Sequence, residues 1–125
     1  MTLTLTRLTG DYAITRLPED APIPDWADGV GLVSIIRALD ELSVVCLSDR
    51  VPTGLDTANG WTALRVDTLA ALDTAGVVRD AVTPVSNAGL GVFVISSYLR
   101  DHLLIRTADA PRAMAVLAVA GHTIG

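Results

Sequence analysis

At 125 residues the chain has the length of one compact domain, or of two small units sharing a core, and half of its residues are hydrophobic, enough to bury a core without disulfide staples. A net charge of -5, with nine arginines scattered along the chain and no lysine, argues against nucleic acid, because phosphate neutralisation needs clustered cations. Gly, Pro or a charge interrupts every apolar run well before the roughly 20 residues of a membrane helix, so a membrane is not an expected partner either.

Residues 2–8 alternate threonine with leucine, the period of a half-buried strand, and Gly10-Asp11 marks a turn before a second strand over 12–17. The segment from Pro18 to Asp28 holds three prolines, which forbid a long helix but allow one turn after Pro24, with Trp26 as its packing anchor. Residues 30–38 and 42–47 predict a first hairpin that turns at Leu39-Asp40-Glu41, residues 48–59 a loop, and residues 61–66 a further strand. The lone Cys46 lies in the apolar run LSVVCL with no partner for a disulfide or CxxC site, and packs as a small hydrophobe. The first residues lack the basic start and apolar segment of a signal peptide, which gives a cytoplasmic expectation.

The period then changes. From Thr74, apolar Val77, Val78, Ala81, Val82 and Val85 recur at helical spacing, with Asp73 or Thr74 as cap, a bend at Pro84 and a stop at Asn87-Ala88-Gly89. Residues 91–97 form a strand with Val92 and Val94 on one face and Phe93 and Ile95 on the other. A turn at Leu99-Arg100-Asp101 leads into a second apolar run. A strand apolar on both faces needs cover on both, and a second copy of the chain is the simplest cover, hence an expected homodimer. Asp109-Ala110-Pro111 opens a helix over 112–120, Gly121 stops it, and residues 122–125 make a short terminal strand.

From Trp61 onward the order is strand, helix, strand, strand, helix, strand, the split βαβ or ferredoxin-like arrangement. Residues 36–45 lie over 96–105 as a weak repeat that pairs Glu41 with Asp101. The predicted fold is therefore α+β, with an incomplete ferredoxin-like unit at 1–54 and a complete one at 60–125 sharing an antiparallel sheet. A helix start leaves backbone amides unpaired, so those around Thr74 to Val77 suit a ligand carboxylate, Gly76 permits close approach, and Asp101 suits an ammonium. The same residues serve equally well as helix cap and turn closer.

Catalytic patterns are weak. His102 and His122 have no ligand-spaced partner, so no metal site is expected. Gly89-Leu90-Gly91 follows a helix and precedes a strand, the reverse of a phosphate-binding loop, and Ser96-Ser97 lies in a strand without a nucleophile elbow.

Four segments in order, YAITRLPEDAPIPDW (12–26), RALDELSVVC (37–46), RVPTG (50–54) and VFVISSYLRDHLLI (92–105), resemble the small bacterial ACT-domain proteins, whose tandem units are similar to those of amino-acid sensors and of the regulatory part of aspartate kinases. The resemblance spans essentially the whole chain. It implies no catalysis and no cofactor, with ACT units paired side by side around an amino acid or related small metabolite. Carried over residue by residue, it implies a ligand site at Leu72, Asp73, Thr74 and Gly76 in the helix-opening loop and at Ile95, Ser96, Ser97, Tyr98 and Asp101 on the hairpin. The chain departs from the family in having Leu99-Arg100 where a small polar or acidic pair is usual, and His102 where the second strand usually has an aromatic. Two other readings have structural signatures. A chain-pairing module without ligand would have its cleft filled by Leu72 or Leu99, and an enzyme would bring His102 or His122 beside a carboxylate in a pocket.

Overall fold

The structure, a computed structural model, describes residues 1–125. Its contacts group the chain into two units, Thr9–Trp61 and Met1–Leu8 with Thr62–Gly125. Eight strands and two helices make up the α+β fold, and no helix is long and apolar enough to cross a membrane.

In the unit Thr9–Trp61, β2 (Tyr12–Leu17) and β3 (Ser34–Arg37) flank β4 (Leu42–Leu47), all antiparallel, and β2 also pairs with the first half of β5 (Asp56–Val66). Leu42, Val44 and Cys46 alternate onto one face and are fully buried with Ala27, against which Trp26 packs as expected. Cys46 is a free thiol, and burial raises its pKa. The proline-rich connector makes a turn at 18–21, closed by Ala21 N–H to Pro18 O at 3.0 Å, and one short helical turn, Asp25–Ala27. Two arginines hold it by main-chain carbonyls. Arg37 donates to Glu19 and, at 2.8 Å, to Ala21, while Arg50 donates to Val30 at 2.5 Å and to Ala27 at 3.5 Å.

The other unit contains β1 (Thr4–Arg7), the second half of β5, α1 (Val77–Asn87), β6 (Phe93–Ser96), β7 (Asp101–Arg106), α2 (Ala110–Val119) and β8 (Thr123–Ile124). β7 lies between β6 and β5, and β1 joins β5 to β8. β1 pairs antiparallel with β5 and β6 antiparallel with β7, whereas β1 and β8 run parallel. The core is built from Leu3, Leu5, Leu64, Val66, Val77, Ala81, Val85, Leu103, Ile105, Ala113 and Leu117. The spacing of Val77, Ala81 and Val85 is the i, i+4, i+8 stripe of an amphipathic helix.

Several boundaries differ from the sequence reading. Strand β1, expected within a unit at 1–54, packs with the second unit because Leu3 and Leu5 enter its core. β5 begins at Asp56 instead of Trp61, since its polar start is held by pairing of Thr57 with Thr15 rather than by hydrophobic burial. Helix α1 begins at Val77, not Thr74, and neither Asp73 nor Thr74 caps it. Its N-cap is Gly76 at φ 92, a left-handed conformation that glycine alone adopts without strain. The repeat is also one residue out of phase: Ala38 N–H bonds to Glu41 O at 2.8 Å and Ser97 N–H to Arg100 O at 3.0 Å, so the turn position of Glu41 corresponds to Arg100 rather than Asp101. Finally, the two faces of β6 differ: Ile95 is buried within the single chain, whereas Val94 on the opposite face stays exposed.

Candidate binding site

The ten residues between β5 and α1 and the turn between β6 and β7 enclose a cavity of about 280 Å³. Seven of the nine residues expected at the site line it: Leu72, Thr74 and Gly76 on the helix side, and Ser96, Ser97, Tyr98 and Asp101 on the hairpin side. Asp73 and Ile95 do not. Asp73 sits at the exposed tip of a turn closed by Thr74 N–H to Ala71 O at 3.0 Å. Ile95 pairs with His102 while Ser96 pairs with Asp101, and the alternation of a strand sends these two pairs to opposite faces.

The helix start supplies donors. Val77, Val78 and Arg79 are the first residues of α1 and all line the cavity, and their N–H groups precede any carbonyl that could accept them within the helix. The first helical bond of this turn runs from Asp80 N–H to Gly76 O at 2.9 Å. The partial positive charge of the helix end adds to these donors.

The hairpin side supplies an acid. Ser96 Oγ donates to Asp101 Oδ1 at 2.6 Å, and Ser97 Oγ donates to Arg100 O at 2.9 Å. The turn is thus closed by Ser97 and the Arg100 carbonyl, and the Asp101 carboxylate is not required for it. Leu72 and Leu99 are 68% and 57% exposed, so neither fills the cavity; with Leu69 and Tyr98 they form an apolar rim.

Two lining arginines were not among the expected site residues. Arg79 is highly exposed, and its Nε donates to Asp80 Oδ1 at 3.0 Å. Arg100, in the Leu99-Arg100 pair that departs from the family pattern, has a side chain only 25% exposed, and its Nη1 lies 3.6 Å from Asp67 Oδ1. Asp67 is engaged more closely by others: Arg65 Nε donates to it at 2.6 Å and Thr6 Oγ1 at 2.5 Å. The only sequence signal for either arginine is its place next to a turn, a position that solvated charges share.

The histidines lie elsewhere. His102 is 8% exposed, lies outside the cavity, and its Nδ1 has no hydrogen-bond partner; burial and the nearby Arg65 and Arg100 lower its pKa. His122 is buried with both ring nitrogens bonded to main chain, Nδ1 accepting from Leu3 N–H and Nε2 donating to Asp80 O, each at 2.9 Å. No group of three or more His, Cys, Asp or Glu is arranged to hold a metal ion.

The ACT-domain family model matches residues 56–118, and a model of an N-terminal domain matches residues 10–54. A solved structure from Agobacterium tumefaciens is 42% identical with a TM-score of 0.95, covering 100% of this chain and 93% of that one. A Vibrio cholerae protein of unknown function, described as a possible transport protein, is 18% identical with a TM-score of 0.76, over 95% of this chain and 90% of that one. The regulatory subunit of aspartate kinase from Thermus flavus is 12% identical with a TM-score of 0.67, over 96% and 99% of the two chains, a likeness of fold. No functionally curated protein matches the chain.

Proposed function

Because the chain belongs to the ACT-domain family, a family of regulatory domains, we propose that it is a non-catalytic regulator that reversibly binds an amino acid or related small metabolite. The cavity at Thr74, Gly76, Ser96 and Asp101 carries this reading, since it sets helix-start amides opposite a carboxylate that the turn does not need. The ligand's carboxylate goes to the amides of Val77 to Arg79 and its ammonium to Asp101. Regulation follows if the ligand binds one conformational or assembly state more tightly than another. We assign a homodimer, with the apolar rim of Leu69, Leu72, Tyr98 and Leu99 as part of the paired surface, and a cytoplasmic location, where the unpaired Cys46 stays reduced.

A thermal-shift and calorimetric survey of the common amino acids, repeated with Asp101→Ala, tests this reading. Ligand at 100 times its dissociation constant adds about 2.7 kcal/mol of stability. No shift with any amino acid sinks it and favours a pairing module, for which the exposed rim is the specific observation; an unchanged shift in Asp101→Ala moves the site elsewhere. Sedimentation with and without ligand reads the assembly state.

A further inference from the structure

The charges around the cavity do not balance, and the imbalance points to the kind of ligand. Among the lining residues two are cationic, Arg79 and Arg100, and one is anionic, Asp101. Arg79 is exposed to solvent and, although it shares Asp80 with the N-terminal ammonium, is hydrogen-bonded to that acid, so it has both water and an anion within bonding distance. Arg100 differs on both counts. Its side chain is three-quarters buried, at 25% exposure, and its closest acid, Asp67, stands at 3.6 Å, beyond hydrogen-bond reach. Asp67 is already matched by the Arg65 guanidinium and the Thr6 hydroxyl, so within Arg65, Asp67 and Arg100 there are two cations for one carboxylate. Arg100 is the surplus cation.

We infer that the cavity selects an α-amino acid with an acidic side chain, whose second carboxylate is bound by Arg100. The inference rests on the amino-acid reading above and names its ligand class. A neutral amino acid would satisfy Asp101 and the helix amides but would displace water from Arg100 without giving it an anion, which costs binding free energy. A basic amino acid would add a third cation. An acidic side chain supplies two oxygens to the planar guanidinium, whose paired donors match a carboxylate. A cavity of about 280 Å³ also suits a small metabolite better than a larger ligand.

Calorimetric titration of the intact chain with L-aspartate, L-asparagine, L-glutamate and L-glutamine tests the assignment, on wild type and on Arg100→Gln. The expected result is that at least one acid binds about tenfold or more tightly than its own amide. Arg100→Gln abolishes that advantage by weakening the acid, while the affinity for the amide stays within about twofold. Arg100→Lys, which keeps the charge without the paired donors, retains part of the preference, and it serves as the second variant if Arg100→Gln does not fold. Amides that bind wild type as tightly as the acids, or a preference unchanged in both variants, overturn the inference and leave the amino-acid reading standing. Absence of binding by every amino acid overturns the reading itself.

Discussion

The Nε2 of His122 lies 2.9 Å from the carbonyl oxygen of Asp80, the acceptor that Pro84 leaves without a partner. In an uninterrupted helix that carbonyl would receive the N–H of residue 84, and proline has none. Nδ1 of the same ring accepts from Leu3 N–H, so one imidazole joins α1, the segment before β8 and the chain leading into β1. His122→Leu leaves one buried donor and one acceptor unsatisfied and is expected to destabilise the chain by about 2–4 kcal/mol. Pro84→Ala restores an N–H for the Asp80 carbonyl, so the double variant recovers part of the loss. Urea unfolding of the four proteins of this double-mutant cycle checks it; simple additivity would refute the shared acceptor.

This relationship shows what was legible in the sequence and what was not. Proline within a helical pattern announces a vacant carbonyl, but the donor lies 42 residues from Asp80, and nothing local to His122 marks it. The helical period of α1, the alternation of β1 and the presence of a turn after β6 were readable because each depends on near neighbours, although the turn expected at 99–101 closes at 97–100. The polar start of β5 was not, because its partner Thr15 decides its conformation. In the cavity, Ser96 and Asp101 could be named from a strand end, whereas Ile95 was misplaced because only the register with His102 fixes which face it takes. The burial of Arg100 had no local signal, because it depends on how the turn folds back toward Asp67.

His102 makes stability depend on pH in the physiological range. Burial disfavours its charged form, and Arg65 and Arg100 add to that effect, so its folded pKa lies below the ordinary value of 6.5. The unfolded chain then binds more protons than the folded one below about pH 6.5, and stability is lost as pH falls from there toward the folded value. His102→Leu removes this slope. It also removes a buried Nδ1 without a partner, so the variant is expected to be at least as stable as wild type at pH 6. Melting temperature measured from pH 8 to about pH 5 on both proteins decides the point, and parallel curves would rule His102 out.

Asp67 acts at more acid pH. Burial pushes its pKa up, but the Thr6 hydroxyl bond and the Arg65 bond and charge, with Arg100 assisting, outweigh burial and leave it below the ordinary carboxyl value. A depressed carboxyl contributes stability above its unfolded pKa of about 3.9, and that contribution disappears as pH falls through the folded value. Asp67→Asn is therefore expected to be less stable than wild type at pH 7, with the two converging in strong acid. Denaturation curves at pH 7, 4 and 2.5 measure the convergence. A difference that stays constant across the series would mean that the loss is one of packing.

The proline-rich connector has its own test, because two arginines bond four of its carbonyls in addition to the packing of Ala21, Trp26 and Ala27 and the bond from Leu32 N–H to the Tyr12 hydroxyl. Residues 18–33 contain only a hydrogen-bonded turn at 18–21 and the short helical turn Asp25–Ala27, and the carbonyls of Glu19, Ala21, Ala27 and Val30 are held by Arg37 and Arg50. Arg50 also packs directly against Gly29, where an added Cβ would fall 2.6 Å from its guanidinium carbon. Hydrogen bonds to charged donors contribute about 1.5–3 kcal/mol each in favourable cases, and less where the donor is exposed. Arg37→Ala and Arg50→Ala are thus expected to raise cleavage at 18–33 by a nonspecific protease. Melting should fall only modestly, because the core at Leu42, Val44 and Cys46 is unaltered. Gly29→Ala should reproduce the Arg50 effect by displacing the guanidinium. Cleavage that begins in another segment, or equal resistance in all four proteins, would show that the prolines and the packing of Ala21, Trp26 and Ala27 hold the connector without the arginines.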